Sequence, residues 1–197
     1  MFITLEGGEG AGKSTQARLL ARALAQQGRA VLLTREPGGA PGAEALRVML
    51  LGGEHRWSAP AEAHLHFAAR AEHLARTILP ALAAGMTIVC DRFADSTLAY
   101  QGYGQGADQA LIRGLTALLP RHPDRTLMLV ASPAIAAARM ANRPGRPDRY
   151  EAMDAAFHAR VAQGFAEIAA AAPDRCRIVD ANAEIHTVHH ALLAALA

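Results

Sequence analysis

The only lysine of this 197-residue chain, Lys13, ends a glycine-rich stretch of the form G-x-x-x-x-G-K-S. Such a loop turns consecutive backbone N–H groups toward one anion, and a helix that begins at its end adds a positive dipole. The lysine reaches the outer phosphates of a nucleotide, and Ser14 can hold a magnesium ion. The pattern therefore predicts a phosphate-binding loop for a nucleoside triphosphate with Mg²⁺. Its residues are Gly7, Gly8, Glu9, Gly10, Ala11, Gly12, Lys13, Ser14 and Thr15.

Both flanks of the loop agree with this interpretation. Residues 2–5 form a short β-prone run, and residues 14–27 repeat leucine and alanine at helical spacing before Gly28. A glycine-rich turn before an ordinary helix is the alternative, but such a turn requires neither the lysine nor this order of strand, loop and helix.

A second group of polar residues follows another apolar run, residues 86–90. Asp91 can face a nucleotide-bound magnesium ion or its water shell, and Arg92 can hold a phosphate through two parallel hydrogen bonds. An ion pair at the end of a strand is the plainer alternative. Because two phosphate-binding groups would lie at neighbouring strand ends, we expect two phosphorylated substrates and phosphoryl transfer between nucleotides.

The elements that must position these residues alternate between β and α. Strands are expected at 2–6, 30–34, 86–90, 126–131 and 176–180, and helices at 13–27, 42–51, 60–84, 108–119, 134–141, 149–171 and 184–196. Nearly continuous apolar strands with helices between them predict a parallel sheet that is covered on both faces. Pro80 is expected to kink its helix near the end. Ligands of such sheets lie beyond the carboxyl ends of the strands, so the loops after the first three strands should carry the chemistry.

Composition limits the possible functions. The chain is 51% hydrophobic, without a linker or repeat, which predicts a single domain over residues 1–197. A net charge of +2 argues against a surface for a nucleic acid polymer. Cys90 and Cys176 fall in expected strands and indicate buried thiols of a reducing compartment, which favours the cytoplasm. We expect no association with a membrane, because no signal peptide precedes the first strand and no apolar run is long enough to span one.

Several further stretches resemble bacterial thymidylate kinases. They are 34–39 (TREPGG), 46–47 (LR), 67–70 (FAAR), 91–104 (DRFADSTLAYQGYG), 148–151 (DRYE) and 179–181 (VDA). The resemblance covers essentially the whole chain and implies an α/β P-loop kinase fold: a five-stranded parallel sheet, helices on both faces and a short lid near 139–150. It also implies a cytoplasmic homodimer that transfers the γ-phosphoryl group of ATP to dTMP, giving dTDP and ADP, in dTTP biosynthesis.

The resemblance implies roles for the residues around the phosphate and sugar of dTMP. Glu9 would lie near the deoxyribose 3′-hydroxyl. Arg47 and Arg92 would hold the phosphate, with support from Glu36. Tyr100 would pack where a ribose carries its 2′-hydroxyl and so disfavour ribonucleotides, although ordinary aromatic packing also explains a tyrosine there.

The thymine edge would be read by Arg70, Thr97 and Gln101. The family usually places an aromatic ring four residues before this arginine, and that ring stacks on thymine, but here the position holds His66 and the next residue is Phe67. Either His66 stacks, or a small rotation of the helix lets Phe67 stack, or His66 only lines the wall. A stacking histidine predicts that dTMP affinity varies between about pH 5.5 and 7.5.

Four arginines lie among proline and glycine in residues 139–149, which cannot form one continuous helix. A solvated basic loop is one interpretation. The resemblance implies instead a lid that closes over ATP and brings a guanidinium to the transferring phosphoryl group, because the residue directly after Glu9 in the phosphate loop is Gly10 and not a basic residue. Arg143, Arg146 and Arg149 are equal candidates for that cation, and Arg139 is expected to flank the adenine.

Three other functions agree less well with these residues. A different nucleotide kinase on the same fold would keep the phosphate loop and Asp91 but lack the thymine-reading residues. A GTPase needs a second lysine in its guanine-reading motif, which the chain lacks. A nucleotide-binding regulator without turnover would not need the lid arginines.

Overall fold

The computed structural model describes residues 1–52, 55–142 and 149–196. Within these ranges five strands form one parallel sheet in the order β2-β3-β1-β4-β5. The strands are β1 (Phe2–Glu6), β2 (Val31–Arg35), β3 (Thr87–Asp91), β4 (Arg125–Val130) and β5 (Cys176–Asp180). The predicted fold class is confirmed, and each strand lies within one residue of its expected bounds.

Helices cover the sheet, and the longer ones follow the expected order. Their bounds are α1 (Lys13–Gln26), α2 (Pro41–Leu51), α3 (Ala59–His73), α4 (Leu79–Ala83), α5 (Ala94–Thr97), α6 (Gln109–Ala117), α7 (Pro133–Ala141), α8 (Ala155–Ala171) and α9 (Ile185–Ala194). Two π-helical segments, Leu74–Ile78 and Leu98–Gly104, connect α3 to α4 and extend α5.

Alternate residues of the central strands enter different core clusters. In β1, Ile3 and Leu5 pack with Leu20 of α1 and Leu192 of α9, whereas Phe2 packs on the opposite face with residues that include Ile78. Side chains of a strand point alternately to the two faces of a sheet, so a strand with no polar alternation must be buried on both. This double burial explains why the central strands β1, β3 and β4 are rich in apolar residues along most of their length.

Three expectations about helices need correction. The helix expected at 149–171 begins only at Ala155, because the Asp154 side chain accepts the Phe157 N–H at 2.7 Å and caps the helix there. The helix expected at 60–84 is interrupted by the π-helical turn Leu74–Ile78, just ahead of Pro80, which has no N–H to donate. Residues 94–104, expected as a loop, are helical.

The π-helical segment Leu98–Gly104 packs closely against α8 because each partner has a glycine at the contact: Gly104 in the segment and Gly164 in α8. A Cβ atom at Gly164 of α8 would lie 2.7 Å from the ring of Tyr103, and one at Gly104 would lie 2.6 Å from the ring of Phe157. Neither position can accept a methyl group without moving a packed aromatic ring. This close packing holds in place the helical segment that carries Tyr100 and Gln101.

We predict that Gly164→Ala lowers the free energy of unfolding by about 1–3 kcal/mol, because the added methyl group overpacks the contact with Tyr103. Gly114→Ala is the matched control: it also lies in a helix, α6, but nothing lies within 4 Å of its Cβ position. That substitution should raise the free energy of unfolding by about 0.5–1 kcal/mol. Urea denaturation of both variants measures the difference, and equal effects would rule out the proposed close contact.

Candidate active site

A cavity of about 970 Å³ lies beyond the carboxyl ends of β1, β2 and β3. Most of the candidate substrate-binding and catalytic residues predicted from the sequence line it. Its wall includes Glu9, Gly10, Ala11, Gly12, Lys13, Ser14, Thr15, Glu36, Arg47, His66, Arg70, Asp91, Arg92, Thr97, Tyr100, Gln101 and Arg139. The expected location of the chemistry, at the ends of the first three strands, therefore agrees with the cavity.

The phosphate loop joins β1 to α1 with a tightly curled backbone. Gly7 has a φ of 137°, and a Cβ atom there would lie 2.2 Å from the carbonyl oxygen of Leu129, so this position requires glycine. Lys13 begins α1, is buried, and donates from Nζ to the Gly8 carbonyl oxygen at 2.6 Å. Burial and the nearby Arg92 guanidinium lower the pKa of Lys13 to about 8, against the opposing effect of Glu9.

Ser14 and Asp91 meet beside the phosphate loop. The Ser14 hydroxyl donates to Asp91 Oδ2 at 2.5 Å. The other carboxylate oxygen, Oδ1, is buried and has no hydrogen-bond partner among the described residues. An unbonded carboxylate oxygen next to a hydroxyl group fits a hard divalent cation, since magnesium prefers oxygen ligands and often takes only one carboxylate from the protein.

Arg92 is held in a cluster with Glu9 and Tyr100. Its Nη2 donates to Glu9 Oε1 at 2.5 Å and to the Tyr100 hydroxyl oxygen at 3.1 Å, and the guanidinium lies 4.9 Å from the centre of the Tyr100 ring. The Tyr100 hydroxyl donates to Glu9 at 2.8 Å, and burial raises the pKa of Tyr100 well above its usual range, so the phenol stays protonated. The guanidinium is thereby oriented before any phosphate arrives.

Glu6, at the end of β1, is a buried acid next to the Arg92 segment that the sequence does not single out. It is completely buried, and its carboxylate accepts the Phe93 N–H at 2.7 Å and the Ser96 hydroxyl at 2.5 Å. Burial and the neighbouring Asp95 raise the pKa of Glu6 to about 8. Glu6 thus anchors the backbone after Arg92, whose φ of 72° is rare for a residue with a side chain. The available signal was a single charged residue at the end of a strand that is otherwise uncharged.

Arg70 lines the same cavity and is almost completely buried. Its Nε donates to Glu36 Oε2 at 2.7 Å, and its Nη2 donates to Thr97 Oγ1 at 3.1 Å. The second carboxylate oxygen of Glu36 is held by His73 Nδ1 at 3.0 Å. The remaining nitrogen, Nη1, is buried without a hydrogen-bond partner in the described part of the chain. A buried donor of this kind is matched by an acceptor on a ligand.

His66 lies on the cavity wall, whereas Phe67 is outside the set of lining residues and packs in the core, 4.7 Å from Arg70 Cζ. The His66 Nε2 atom lies 3.0 Å from the Tyr150 hydroxyl oxygen. Burial, followed by the charge of Arg70, lowers the pKa of His66 to about 3. The expectation that His66 titrates between about pH 5.5 and 7.5 is therefore corrected: the imidazole is neutral throughout that range.

The remaining candidate arginines, Arg47 and those of the predicted lid, have different surroundings. Arg47 donates to the Pro37 carbonyl oxygen at 2.7 Å. Arg139 donates to the carbonyl oxygens of residues 181 and 183 at 2.8 and 3.1 Å, beside the cavity. Arg149 forms an ion pair with Glu62 and is outside the set of lining residues. Arg143 and Arg146 lie outside the described residues.

Comparisons with known proteins identify the family. The family model described as thymidylate kinase matches residues 5–192. The chain is 56% identical to the thymidylate kinase of Gluconobacter oxydans, covering all of this chain and 94% of that protein, and 52% identical to that of Rhizorhabdus wittichii, covering all of this chain and 96% of that protein. The crystal structure of thymidylate kinase from Ehrlichia chaffeensis superposes with a TM-score of 0.80 at 35% identity, over all of this chain and 97% of that one.

The chain belongs to the thymidylate kinase family. The family and enzyme class inferred from the sequence are confirmed. The activity is also confirmed at the level of the family: it is the phosphorylation of dTMP in dTTP synthesis, and the family implies ATP as the donor. None of the helices in the described part of the chain is long and apolar enough to cross a bilayer.

The neutral state of His66 leads to a prediction for this thymidylate kinase family member. Between about pH 5.5 and 7.5, dTMP affinity should change equally in the wild type and in His66→Phe, because a group with a pKa near 3 does not titrate there. The phosphate of dTMP does titrate in this range, and it does so in both proteins. Calorimetric titration of dTMP at several pH values tests this, and an additional pH-dependent step in the wild type alone would contradict it.

Proposed function

We propose that this chain phosphorylates dTMP with the residues of the cavity described above. The thymine lies against Arg70, and the single phosphate of dTMP meets the triphosphate of ATP near Lys13 and Arg92. The observation that carries this assignment is the buried Nη1 of Arg70, which has no hydrogen-bond partner among the described residues. The O4 carbonyl oxygen of thymine supplies the acceptor that this donor needs. The amino group at the same position of cytosine would supply a second donor instead and leave the arginine unsatisfied.

The remaining wall of the cavity supports the same orientation of dTMP. Thr97, which accepts a hydrogen bond from Arg70, and Gln101 also line the cavity, and we propose that they complete the reading of the base edge. Tyr100 is proposed to pack against the sugar, and Glu9 to lie near its 3′-hydroxyl. Of the two candidates for stacking on thymine, His66 is the one that lines the cavity, and we propose that it contacts the base as a neutral imidazole.

Catalysis is proposed to depend on position and charge, without a strong base. Arg47 and Arg92 hold the phosphate of dTMP, an oxyanion that is already a competent nucleophile. The phosphate loop and Lys13 hold ATP so that this oxygen attacks the γ-phosphorus in line with the bond to the departing ADP. The bond between the γ-phosphorus and the β–γ bridging oxygen breaks as the new P–O bond forms. The positive charge of Lys13 and Arg92 offsets the negative charge on the oxygens in the transition state.

Ser14 and Asp91 are the residues proposed to hold Mg²⁺, directly or through its water shell. The support is the adjacent hydroxyl group and the unbonded buried oxygen of Asp91, which fit a hard cation. When bound with ATP, magnesium neutralises charge on the β- and γ-phosphate oxygens.

The lid over residues 139–150 is proposed to close over ATP. Arg143, Arg146 and Arg149 are its candidate cations, and the ion pair of Arg149 with Glu62 would have to open for Arg149 to serve. Arg139 is proposed to flank the adenine, next to the segment that its guanidinium already binds.

Other properties of the protein are proposals that the family resemblance supports. We propose that residues 1–197 act as one domain, that the enzyme is a cytoplasmic homodimer, and that the region of residues 60–84 contributes to the dimer. Val48 and Met49 expose apolar side chains on α2, which packs against α3, and this is consistent with a covered face in that region. The buried free thiols of Cys90 and Cys176 are consistent with a reducing compartment.

The role of Lys13 is tested by Lys13→Met, which keeps an unbranched apolar stem but removes the charge. We expect less than about a tenth of wild-type kcat, a barrier higher by at least about 1.4 kcal/mol, because no other lysine can replace the lost contact with phosphate. Arg22→Met, an exposed position on the same helix, is the control and should retain activity. A coupled assay of ADP release gives both values, and near-normal turnover by Lys13→Met would refute the assigned role.

The role of Tyr100 is tested with dTMP and ribothymidine 5′-monophosphate. The wild type should prefer dTMP in kcat/KM because the ring occupies the space of a 2′-hydroxyl group, and Tyr100→Ala should reduce that preference. Tyr100→Phe keeps the ring but loses the hydrogen bonds to Glu9 and Arg92, so its preference should stay close to that of the wild type. Loss of selectivity in both variants would mean that the hydroxyl group, and not the ring, excludes ribonucleotides.

A further inference from the structure

Glu62, on α3, is a completely buried carboxylate that accepts hydrogen bonds from four side chains. Its Oε1 accepts from Gln101 Nε2 at 2.8 Å, from Gln105 Nε2 at 2.8 Å and from the Tyr150 hydroxyl at 2.6 Å. Its Oε2 accepts from Arg149. Glu62 is outside the set of residues that line the cavity, so any part it plays in reading a substrate must pass through these neighbours.

The charge of Glu62 determines the direction of the hydrogen bonds around it. An ionised carboxylate only accepts, so Tyr150 donates its single hydroxyl proton to Glu62. The Tyr150 oxygen must then accept, both from Gln101 Nε2 at 3.1 Å and from His66 Nε2 at 3.0 Å. One buried acid thereby orients a phenol, an amide and an imidazole.

Gln101, His66 and Tyr150 of this network line the cavity, and Gln101 is the one that carries an amide. Both hydrogens of its amide nitrogen are bound, one by Glu62 and one by Tyr150. Since Gln101 lines the cavity, the group that it offers to a ligand is the carbonyl oxygen, an acceptor. Arg70, on the same wall, offers an unbonded donor. Together they present one donor and one acceptor to the edge of the base.

We propose that Glu62 is a positioning residue for base specificity: it holds the Gln101 amide so that the carbonyl oxygen meets the N3–H of thymine. Thymine carries a proton at N3, whereas cytosine carries a lone pair there, and a Gln101 amide turned by 180° would favour cytosine at this position. The inference rests on the proposed function, in which Gln101 reads the base. Its rival is that Glu62 only anchors the segment around Arg149.

The test compares kcat/KM for dTMP with that for 5-methyl-dCMP, which has the same sugar and the same methyl group. The two bases differ at N3 and at position 4. The mismatch between Arg70 and the 4-amino group is the same in every variant that keeps Arg70, so it cancels when the preference ratio of one variant is compared with that of another. What remains is the contribution of N3 and therefore of the orientation of Gln101.

Glu62→Gln should lower the preference for dTMP by about tenfold, a change of the size expected for one buried hydrogen bond. Arg149 can only donate, so it would take the oxygen of the introduced amide. The amide nitrogen would then face Gln101 and favour its rotation. Glu72→Gln is the control, since Glu72 lies on the same helix in an exposed ion pair with Arg76, and it should keep the wild-type ratio. An anchoring role for Glu62 would lower both kcat/KM values by the same factor and leave the ratio unchanged, which would overturn the proposal.

Gln101→Met supplies the second arm, because it has no amide to orient. The double variant Glu62→Gln/Gln101→Met should have the same preference for dTMP over 5-methyl-dCMP as Gln101→Met alone. A lower preference in the double variant would overturn the proposal. If Glu62→Gln does not fold, Tyr150→Phe tests the same point. In Tyr150→Phe, the hydrogen bond from Gln101 to Glu62 should still orient the Gln101 amide and preserve the wild-type preference for dTMP. Loss of this preference would assign the orientation to Tyr150 and overturn the proposal.

Failure of the inference is distinguishable from failure of the proposed function. A wild type that does not prefer dTMP to 5-methyl-dCMP would contradict base reading by this wall altogether. A wild type that prefers dTMP, with an unchanged ratio in Glu62→Gln, would contradict only the role of Glu62.

Discussion

The meeting of three parallel strand ends at one edge of the sheet is the constraint on which the rest of the site depends. In the order β2-β3-β1, these strands end next to one another, and each is followed at once by residues of the proposed site. Glu36 follows β2, Arg92 follows β3, and the phosphate loop follows β1. Parallel pairing with helical crossovers leaves all three ends free at the same edge. Residues that are distant along the chain therefore line one cavity.

Buried charge is the second constraint, and it explains why the cavity is surrounded by acids. Arg70 and Arg92 each lie against a carboxylate, Glu36 and Glu9 respectively. An unpaired guanidinium at this depth would cost several kcal/mol, on the order of 3–5 kcal/mol when one partner of a buried pair is removed. Pairing offsets this cost and fixes the orientation of both arginines before a substrate binds. The nucleotide then meets donors that need little rearrangement, which is the condition for strong electrostatic stabilisation of phosphoryl transfer.

Much of this arrangement could be predicted from the sequence, for identifiable reasons. The phosphate loop requires specific residue types at fixed spacing, and strands buried on both faces are continuous apolar runs, so both are visible locally. Residues 94–104 were expected as a loop because their polar and glycine residues do not form a helical pattern. Packing on α8 stabilises the helix that the structure shows there. The convergence of Gln101 and Tyr150 on Glu62 joins residues separated by 39 and 88 positions, and no local pattern encodes such contacts. The pKa of His66 likewise depends on burial and on arginines from other elements.

The central claim is that one wall of the cavity reads the edge of thymine, with Arg70 as donor and Gln101 as acceptor, while the strand ends hold the phosphates. The most direct measurement is the initial rate of ADP release with ATP, magnesium and a panel of dTMP, dUMP, dCMP, dAMP and dGMP. We predict the highest kcat/KM for dTMP and the next highest for dUMP, which keeps O4 and N3–H and lacks only the methyl group. A comparable kcat/KM for dCMP, in which both groups are reversed, or for either purine nucleotide would contradict the account.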